Sequence, residues 1–492
     1  MAQQDCMYNL FNMPETDRKE WIDDYVDLHC HPAMKPFGKS YNYKPKFINH
    51  PYKSRRNSIW KYDPPSLGDK LVNYLTGITK FSQSNFTSIS KGGLNVVCAS
   101  LYPIEKWFFV NKIDNEFIRD IAANFATGIG KKRVDAIQRI TNYFQDVERE
   151  YKFYRKLDGK VIRLPEGKFR YRLVSNYQDI ETIKNADPDD ITTICVVMTI
   201  EGLHVLNNDI RKPPNAASFM ANLNTIKNWD HPPFFVTIAH HFWNHLCGHE
   251  ESFSGIVKKN VDQSEGLGKG FTALGKNVVN ELLDTNGRRI LIDIKHMSVK
   301  SRYEYYDMID DTIPIIVSHG AANGQVSPDD TSQGGSQVAN KLSAVKINFY
   351  NDEIIKIARS KGILGLQLDE RRIASEQTLK DTKSSLRRSK IMHYRSELLW
   401  FQIQHILEVL DAEDMFAWDC IALGTDFDGI IDPLNAFWTQ EELPFLADFL
   451  ERHVYNYMSN ASFKHAKNNI ETDEVIARVM SQNALRFMKA HF

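Results

Sequence analysis

The sequence is poor in cysteine and lacks the spacings that make cysteines structural. It has six cysteines in 492 residues, no two of them form a C-x-x-C pair, and Cys98, Cys195 and Cys420 stand inside apolar runs. Buried, reduced thiols are therefore expected rather than a disulfide framework.

Long apolar runs and an excess of charge are also missing. No stretch approaches the roughly 18 to 20 apolar residues that cross a bilayer, and the first residues lack the basic and apolar regions of a signal peptide. The formal net charge is only -1. We therefore expect a cytoplasmic protein with no membrane and no nucleic-acid partner.

Basic stretches are nevertheless present. YKPKFINHPYKSRR covers residues 43–56, and GIGKKRVDAI covers residues 128–137. The second stretch resembles the glycine hairpin of a helix-hairpin-helix element, but a helix N-terminus after a turn explains a single copy equally well. Neither stretch changes the expectation on nucleic acid.

Short β-rich runs recur along the chain, and many end abruptly in a polar residue able to do chemistry. In order, the eight runs are YVDL before His29, LNVVCASLY (94–102), TTICVVMTI before Glu201, FFVTIA before His240, RILIDI before His296, PIIVS before His319, ILGLQL (363–368), and CIALGT before Asp426. These runs predict eight strands.

Helical patterns separate several of these strands. In FTALGKNVVNELLDTNG, Thr272 is the predicted N-cap and Gly287 the predicted terminator of a helix. Apolar strands that alternate with amphipathic helices are typical of a parallel sheet covered by helices. Polar residues at most strand ends favour a closed (β/α)8 TIM barrel over an open doubly wound sheet, which would take ligands at one switch point.

The spacing of the strands is uneven. Residues 38–90, about 103–190 and 320–346 are long for barrel loops, and we interpret them as insertions rather than separate domains. The expected architecture is thus one α/β barrel domain over residues 1–492, with its core at about 21–490.

The residues at the strand ends form a candidate metal site. His29 and His31 are two apart, and alternate residues of an extended strand point the same way, so both imidazoles can bind one cation. The full set is His29, His31, Glu201, His240, His296, His319 and Asp426. Any one of these could be structural, but a ligand set of histidine and carboxylate suits zinc or a related divalent ion, and Glu201 could bridge two ions.

At these residues the chain resembles the membrane (renal) dipeptidase family of the amidohydrolase superfamily, which are (β/α)8-barrel binuclear zinc peptidases. The resemblance spans about residues 21–490. Its segments are VDLHCHP, TIEGLHVLNND, VTIAHHFWN, EGLGKGFTALGKNVVNELL, ILIDIKHMS, IPIIVSHGAA, ALGTDFDG and QNALRFMKA, in family order.

The resemblance implies a role for each residue of the set. His29 would bind the first of two zinc ions, Glu201 would bridge them, and His296 and His319 would bind the second. His240 would lie near the substrate carbonyl as a catalytic and substrate-binding group, and Asp426 would be the proton shuttle. The implied reaction is attack of a bridging hydroxide on an amide carbonyl of a short peptide or other small substrate.

The chain departs from the family pattern at two positions. His31 replaces an aspartate, which gives the site one negative charge fewer, and Asp24 or Asp27 could compensate. Ile347 replaces the arginine that binds the substrate carboxylate, beside the expected substrate-binding Asn348. Free dipeptides should then be cleaved more slowly than amidated ones, unless Lys346, Arg371 or Arg372 restores the charge.

The expected function is therefore that of a metal-dependent hydrolase of the dipeptidase type, with a homodimer left open. Another amidohydrolase reaction, such as lactone or ester hydrolysis or deamination, and a catalytically reduced ligand-binding barrel are the alternatives. Asp293 is expected to orient a ligand or to fill the barrel, with even odds, and His405 to be a core histidine.

Overall fold

The computed structural model describes residues 25–77, 79–110, 127–186, 190–253, 255–382 and 387–492. Its strands are β1 (Tyr25–Cys30), β2 (Leu94–Leu101), β3 (Ile162–Leu164), β4 (Gly167–Val174), β5 (Ile191–Glu201), β6 (Phe235–Thr237), β7 (Leu291–Asp293), β8 (Ile316–Gly320), β9 (Ile363–Leu366) and β10 (Ile421–Leu423). Each of the eight predicted strands is present.

Eight parallel strands form a barrel in the order β1-β2-β5-β6-β7-β8-β9-β10. The barrel closes just beyond β10, where Cys30 forms a parallel bridge with Phe427 and the amide of Asp426 donates to the His29 carbonyl at 2.9 Å. The predicted (β/α)8 TIM barrel is confirmed. The hairpin β3–β4 is additional to it, and β4 runs parallel to the first half of β5.

Helices surround the barrel and fill its insertions. They are α1 (Met34–Ser40), α2 (Leu67–Thr76), α3 (Phe86–Lys91), α4 (Lys131–Gln138), α5 (Tyr143–Arg155), α6 (Tyr177–Asn185), α7 (Ala216–Lys227), α8 (Gly255–Asn260), α9 (Ala273–Leu283), α10 (Val299–Met308), α11 (Asn351–Arg359), α12 (Glu370–Ile373), α13 (Glu376–Asp381), α14 (Arg388–Ala412), α15 (Leu443–Met458), α16 (Thr472–Ala477) and α17 (Asn483–His491). None of the described helices is long and apolar enough to cross a membrane.

The ends of helix α9 show which local signals are reliable. The Thr272 side chain accepts from the amide of Gly275, so the predicted N-cap is confirmed. The predicted terminator Gly287 is wrong, because the helix already ends at Leu283. The Asp284 carboxylate accepts from the amide of Asn286 at 2.9 Å, and such an Asx turn competes with further helical hydrogen bonds.

The interior of the barrel is layered. Every second strand residue points inward, and the lower layer is apolar. It contains Val26, Leu28, Val96, Cys98, Cys195, Val197, Leu291, Ile316, Ile363 and Ala422, which pack in one cluster with Ala484, Phe487 and Met488 of α17. Two residues further along the strands the inward positions are polar and buried: Ser100, Thr199, Thr237, Asp293 and Ser318. This polar layer lies directly beneath the strand ends.

Cysteines and His405 lie where the sequence predicts. Five cysteines are free and buried, whereas Cys6 lies outside the described residues. His405 is fully buried on α14, between the hydroxyl of Ser336 and the amide oxygen of Asn351. It is a satisfied core histidine.

Candidate metal centre

The carboxylate of Glu201 lies at the centre of the predicted histidines. Its Oε1 is 3.5 Å from Nε2 of His29, 3.2 Å from that of His296 and 3.4 Å from that of His319. Its Oε2 is 3.1 Å from Nε2 of His31. These five side chains are buried, so the ends of β1, β5, β7 and β8 place them together as the sequence predicts.

The distances between the donor atoms fit a divalent metal. A tetrahedral zinc ion with Zn–N bonds of 2.0–2.1 Å holds its ligand atoms about 3.3 Å apart. The Nε2 atoms of His29 and His31 are 3.1 Å apart, and those of His296 and His319 are 3.3 Å apart. Two imidazole nitrogens this close in a buried site need a proton or a cation between them, and the donor set is one that binds zinc-like ions.

The imidazole of His31 is strongly basic when no metal is bound. Burial would lower the pKa of His31, but the hydrogen bond and charge of Glu201 and the charge of Asp426 raise it to about 9. Asp27 does not face the centre as a ligand, because its carboxylate accepts from Thr425, Gln440 and the amide of His29. Asp24 lies outside the described residues.

Asp293 orients two of the histidines through a serine. Its Oδ2 accepts from the hydroxyls of Thr237 at 2.8 Å and Ser318 at 2.6 Å. The Ser318 oxygen lies 3.3 Å from Nδ1 of His29 and 2.9 Å from Nδ1 of His319. The polar layer of the barrel therefore fixes the ring orientation of residues in the layer above, as the groups around metal ligands commonly do.

Glu105 is a member of the site that the sequence reading missed. Its Oε1 lies 2.9 Å from Nδ1 of His240, and its Oε2 accepts from the Tyr102 hydroxyl at 2.7 Å. Burial would raise the pKa of Glu105, but the charges of His240 and His204 hold it well below its ordinary value. The ionised carboxylate fixes the His240 ring so that Nε2, 3.5 Å from Glu201, faces the centre.

Asp426 faces the histidines, whereas Asp428 faces away from them. Asp426 carboxylate oxygens lie 3.7 Å from Nε2 of His31 and 3.9 Å from that of His319. Burial and the charge of Glu201 raise the pKa of Asp426 well above its ordinary value. Asp426 and His296 both have positive φ angles, of 60° and 66°, and non-glycine residues held in this region are concentrated at functional sites.

Arg372 is the cation that crosses the mouth of the barrel. It follows β9, yet its guanidinium donates to the carbonyl of Ser252 in the loop after β6. The Ser252 hydroxyl lies 2.7 Å from Nδ1 of His241, whose ring is 3.7 Å from the ring of His240. The guanidinium is thus linked through Ser252 and His241 to His240, and it is close enough for the charge of Asp426 to act on it.

Buried Lys295 accompanies Arg372. Burial and the charge of Arg372 lower the pKa of Lys295 to about 8. The two cations are therefore close enough to repel each other. The other candidate cations lie elsewhere. Arg371 pairs with Asp369 at 2.7 Å, and the Lys346 side chain is exposed.

Asn348 and Ile347 lie beneath Arg372. Ile347 is buried, and the Asn348 amide donates to the carbonyls of Ser343 at 2.9 Å and Arg372 at 2.7 Å. The residue expected to bind substrate therefore braces the backbone of Arg372. Glu105 and Arg372 follow β2 and β9, the two predicted strands to which no site residue was assigned. The sequence named Arg372 as one of three candidate cations, and the gap after β2 was the signal that could have found Glu105.

Comparison with known proteins gives one family and several solved structures. The sequence profile of the membrane dipeptidase family, peptidase family M19, matches residues 236–491. No curated protein sequence matches the chain.

Similar solved structures have low sequence identity. A metallopeptidase from Rhodobacter sphaeroides, solved with a phosphinate mimic of the dipeptide L-Ala-D-Ala, is 12% identical with a TM-score of 0.49, covering 95% of this chain and 99% of that chain. The dipeptidase AC has the same identity and TM-score, covering 95% and 98%. The probable dipeptidase PvdM from Pseudomonas aeruginosa is 14% identical with a TM-score of 0.45, covering 83% and 88%.

Proposed function

This chain belongs to the membrane dipeptidase family, peptidase family M19, and since it is therefore a metal-dependent hydrolase of the dipeptidase type, we propose that it uses two zinc ions to cleave short peptides with a free carboxylate. The observation that carries the metal assignment is the convergence of four imidazoles on the two oxygens of Glu201. Oε2 lies next to His31, whereas Oε1 lies next to His29, His296 and His319, so the carboxylate is within reach of both proposed ions.

Bound ions of this kind act as Lewis acids that polarise the carbonyl and activate water. His29 and His31 would hold one ion, and His296 and His319 the other. Nε2 of His240, fixed by Glu105, donates to the carbonyl oxygen as negative charge develops there. Asp426 takes the proton of the attacking water and returns it to the leaving amine, a role that suits its raised pKa.

Arg372 replaces the missing carboxylate-binding arginine in this proposal. Its guanidinium donates to the carbonyl of Ser252, which carries no charge, and the nearby carboxylates of Asp369, Asp426 and Glu251 act on it without a direct hydrogen bond. A substrate carboxylate would supply the opposite charge, and a planar guanidinium suits a two-pronged contact with it. Asn348 then contributes to substrate binding indirectly, by holding the backbone of Arg372.

Steady-state kinetics on paired substrates test this assignment. We expect free dipeptides to be cleaved faster than the same dipeptides with amidated C-termini. Arg372→Ala should raise the KM for free dipeptides by roughly 10- to 100-fold, the loss of a charge-assisted bond worth about 1.5 to 3 kcal/mol, and should change the amidated substrates little.

Lys346→Ala is the matched control, since it removes an exposed cation that the sequence also offered as a replacement for the missing arginine. Its KM should equal that of the native chain. A larger KM effect from Lys346→Ala than from Arg372→Ala, or faster cleavage of amidated substrates, would show that Arg372 does not bind the carboxylate. Absence of hydrolysis by the zinc-loaded protein on both substrate series would contradict the peptidase assignment itself.

A further inference from the structure

A cationic cavity lies beside the loops that follow β1 and β10. Its volume is about 370 Å³, within the range of small-molecule sites. Five cations and two acids line it, a net excess of 5 − 2 = 3 positive charges. The cations are Lys35, Lys39, Arg56, Lys61 and Lys80, and the acids are Asp63 and Asp69.

The basic stretches of the sequence meet at this cavity. Arg56 is the last residue of the stretch 43–56, and Gly128 opens the stretch 128–137. A Cβ on Gly128 would lie 3.3 Å from Cε of Lys35, and one on Gly130 would lie 3.7 Å from Nζ of Lys39. The glycines, with φ angles of 69° and 97°, therefore let the backbone lie against the two lysines. The stretch that resembles a DNA-binding hairpin forms a cavity wall.

Acidic side chains pair with only some of the cations in the cavity. Lys35 pairs with Asp428 at 2.6 Å, and Asp69 caps helix α2 through Ser66. Among the described residues, no acidic oxygen lies within 4 Å of the charged atoms of Lys39, Arg56 or Lys61. Burial, followed by the charges of Arg56 and Lys35, lowers the pKa of Lys39, which agrees with a cluster of like charges brought close together.

We propose that this cavity binds a small anion of the phosphate class, with at least two negative charges. Such an anion accepts charge-assisted hydrogen bonds from several lysines and an arginine at once. Its source is either a free phosphate compound or a phosphorylated group on the substrate. Lys35 connects the cavity to the metal centre, because its partner Asp428 is two residues from Asp426.

Isothermal titration of the zinc-loaded protein with pyrophosphate tests the proposal. We compare the native chain with the double variant Lys39→Ala/Arg56→Ala and with Lys53→Ala, an exposed lysine of the same stretch outside the cavity. The double variant should lose one equivalent of bound pyrophosphate, or bind it about tenfold or more weakly, while Lys53→Ala binds as the native chain does. Any pyrophosphate bound at the metal centre stays in all three proteins and cancels in the comparison.

Equal stoichiometry and affinity in the three proteins would overturn the proposal.

If the double variant loses binding, enzyme kinetics distinguish the two possible sources of the anion, a free compound and a group on the substrate. Inhibition by pyrophosphate that does not compete with substrate, and that the double variant relieves, identifies a free anion. A KM that rises in the double variant only for dipeptides with a phosphorylated side chain identifies the substrate's own group. The binding comparison does not depend on the peptidase assignment.

Discussion

Glu201 is the residue on which the metal centre depends most. Its two carboxylate oxygens face different histidines, with Oε2 next to His31 and Oε1 next to His296 and His319. A neutral amide keeps the shape of the side chain but has one oxygen and loses the negative charge. Glutamine at position 201 would therefore differ from glutamate in its charge and in the number of oxygen atoms that can accept or bind.

Glu201→Gln should lower the bound zinc from two equivalents to one or fewer and should abolish turnover. The physical reason is that an amide neutralises neither cation and bridges them poorly. Elemental analysis of the purified variant by plasma mass spectrometry measures the metal, and a dipeptide assay measures turnover. Two equivalents of zinc together with native activity would refute the bridging role.

Asp426→Asn should leave the metal content unchanged and reduce kcat by about a hundredfold, the usual scale for losing a positioned proton-transfer group. The Asp426 oxygens lie 3.7 to 3.9 Å from the nearest imidazole nitrogens. The control is the zinc content, which must equal that of the native chain. A variant that loses its metal would make Asp426 a ligand rather than a proton carrier.

At the scale of elements, the loop after β10 has two carboxylates with different tasks. Asp426 faces the candidate metal centre, while Asp428 holds residues 82–84, in the segment between β1 and β2, to the barrel. The Asp428 carboxylate accepts from Lys35, from the hydroxyls of Ser82 and Ser84, and from the amides of Gln83 and Ser84. The loop after β10 therefore places the Asp426 carboxylate at the candidate metal centre. Through Asp428 it also holds Lys35 and Ser82, which line the cationic cavity.

Asp428→Asn should destabilise the fold by about 3 to 5 kcal/mol, because it leaves the mostly buried Lys35 ammonium without its partner. Thermal or denaturant unfolding measures the effect. Asp426→Asn is the matched control, and its unfolding midpoint should stay nearer that of the native chain. If Asp426→Asn unfolds earlier than Asp428→Asn, the two tasks assigned to this loop are reversed.

The elements and the ligands were predictable for different reasons. Each barrel strand is a short apolar run, and the ligand follows directly in sequence, so local pattern alone places His29, Glu201, His319 and Asp426 at one end of the barrel. Glu105 and Arg372 depend on long-range geometry. Glu105 reaches His240 across 135 positions of sequence, and Arg372 reaches Ser252 across 120. No local pattern specifies such contacts.

At the scale of the whole molecule, the metal centre ties the barrel together. The residues proposed to hold it come from the ends of β1, β5, β7 and β8, and the polar layer beneath adds Thr237, Asp293 and Ser318. An ion that binds the folded state and not the unfolded chain stabilises the folded state by mass action. In the metal-free protein the buried carboxylates of Glu201 and Asp426 lie close together without the positive charge of an ion, which makes the folded state less stable.

Removal of metal by a chelator should therefore lower the unfolding temperature, and added zinc should restore it. A 100-fold excess of free ion over its dissociation constant contributes about 2.7 kcal/mol for one site. Differential scanning calorimetry of the chelated and reloaded protein measures this. Glu201→Gln is the control, because its unfolding temperature should respond less to zinc. An equal response in both proteins would locate the stabilising ion elsewhere.

The closure of the barrel has a consequence for biosynthesis. Asp27 of β1 binds Thr425 beyond β10 across 398 positions of sequence, and the interior cluster joins Val26 to Phe487 and Met488 of α17. A ribosome must therefore add more than four-fifths of these 492 residues before the first strand of the barrel meets the last one. Until then His29 and His31 have no Asp426 beside them. Loading of the proposed metal centre therefore has to follow synthesis of most of the chain.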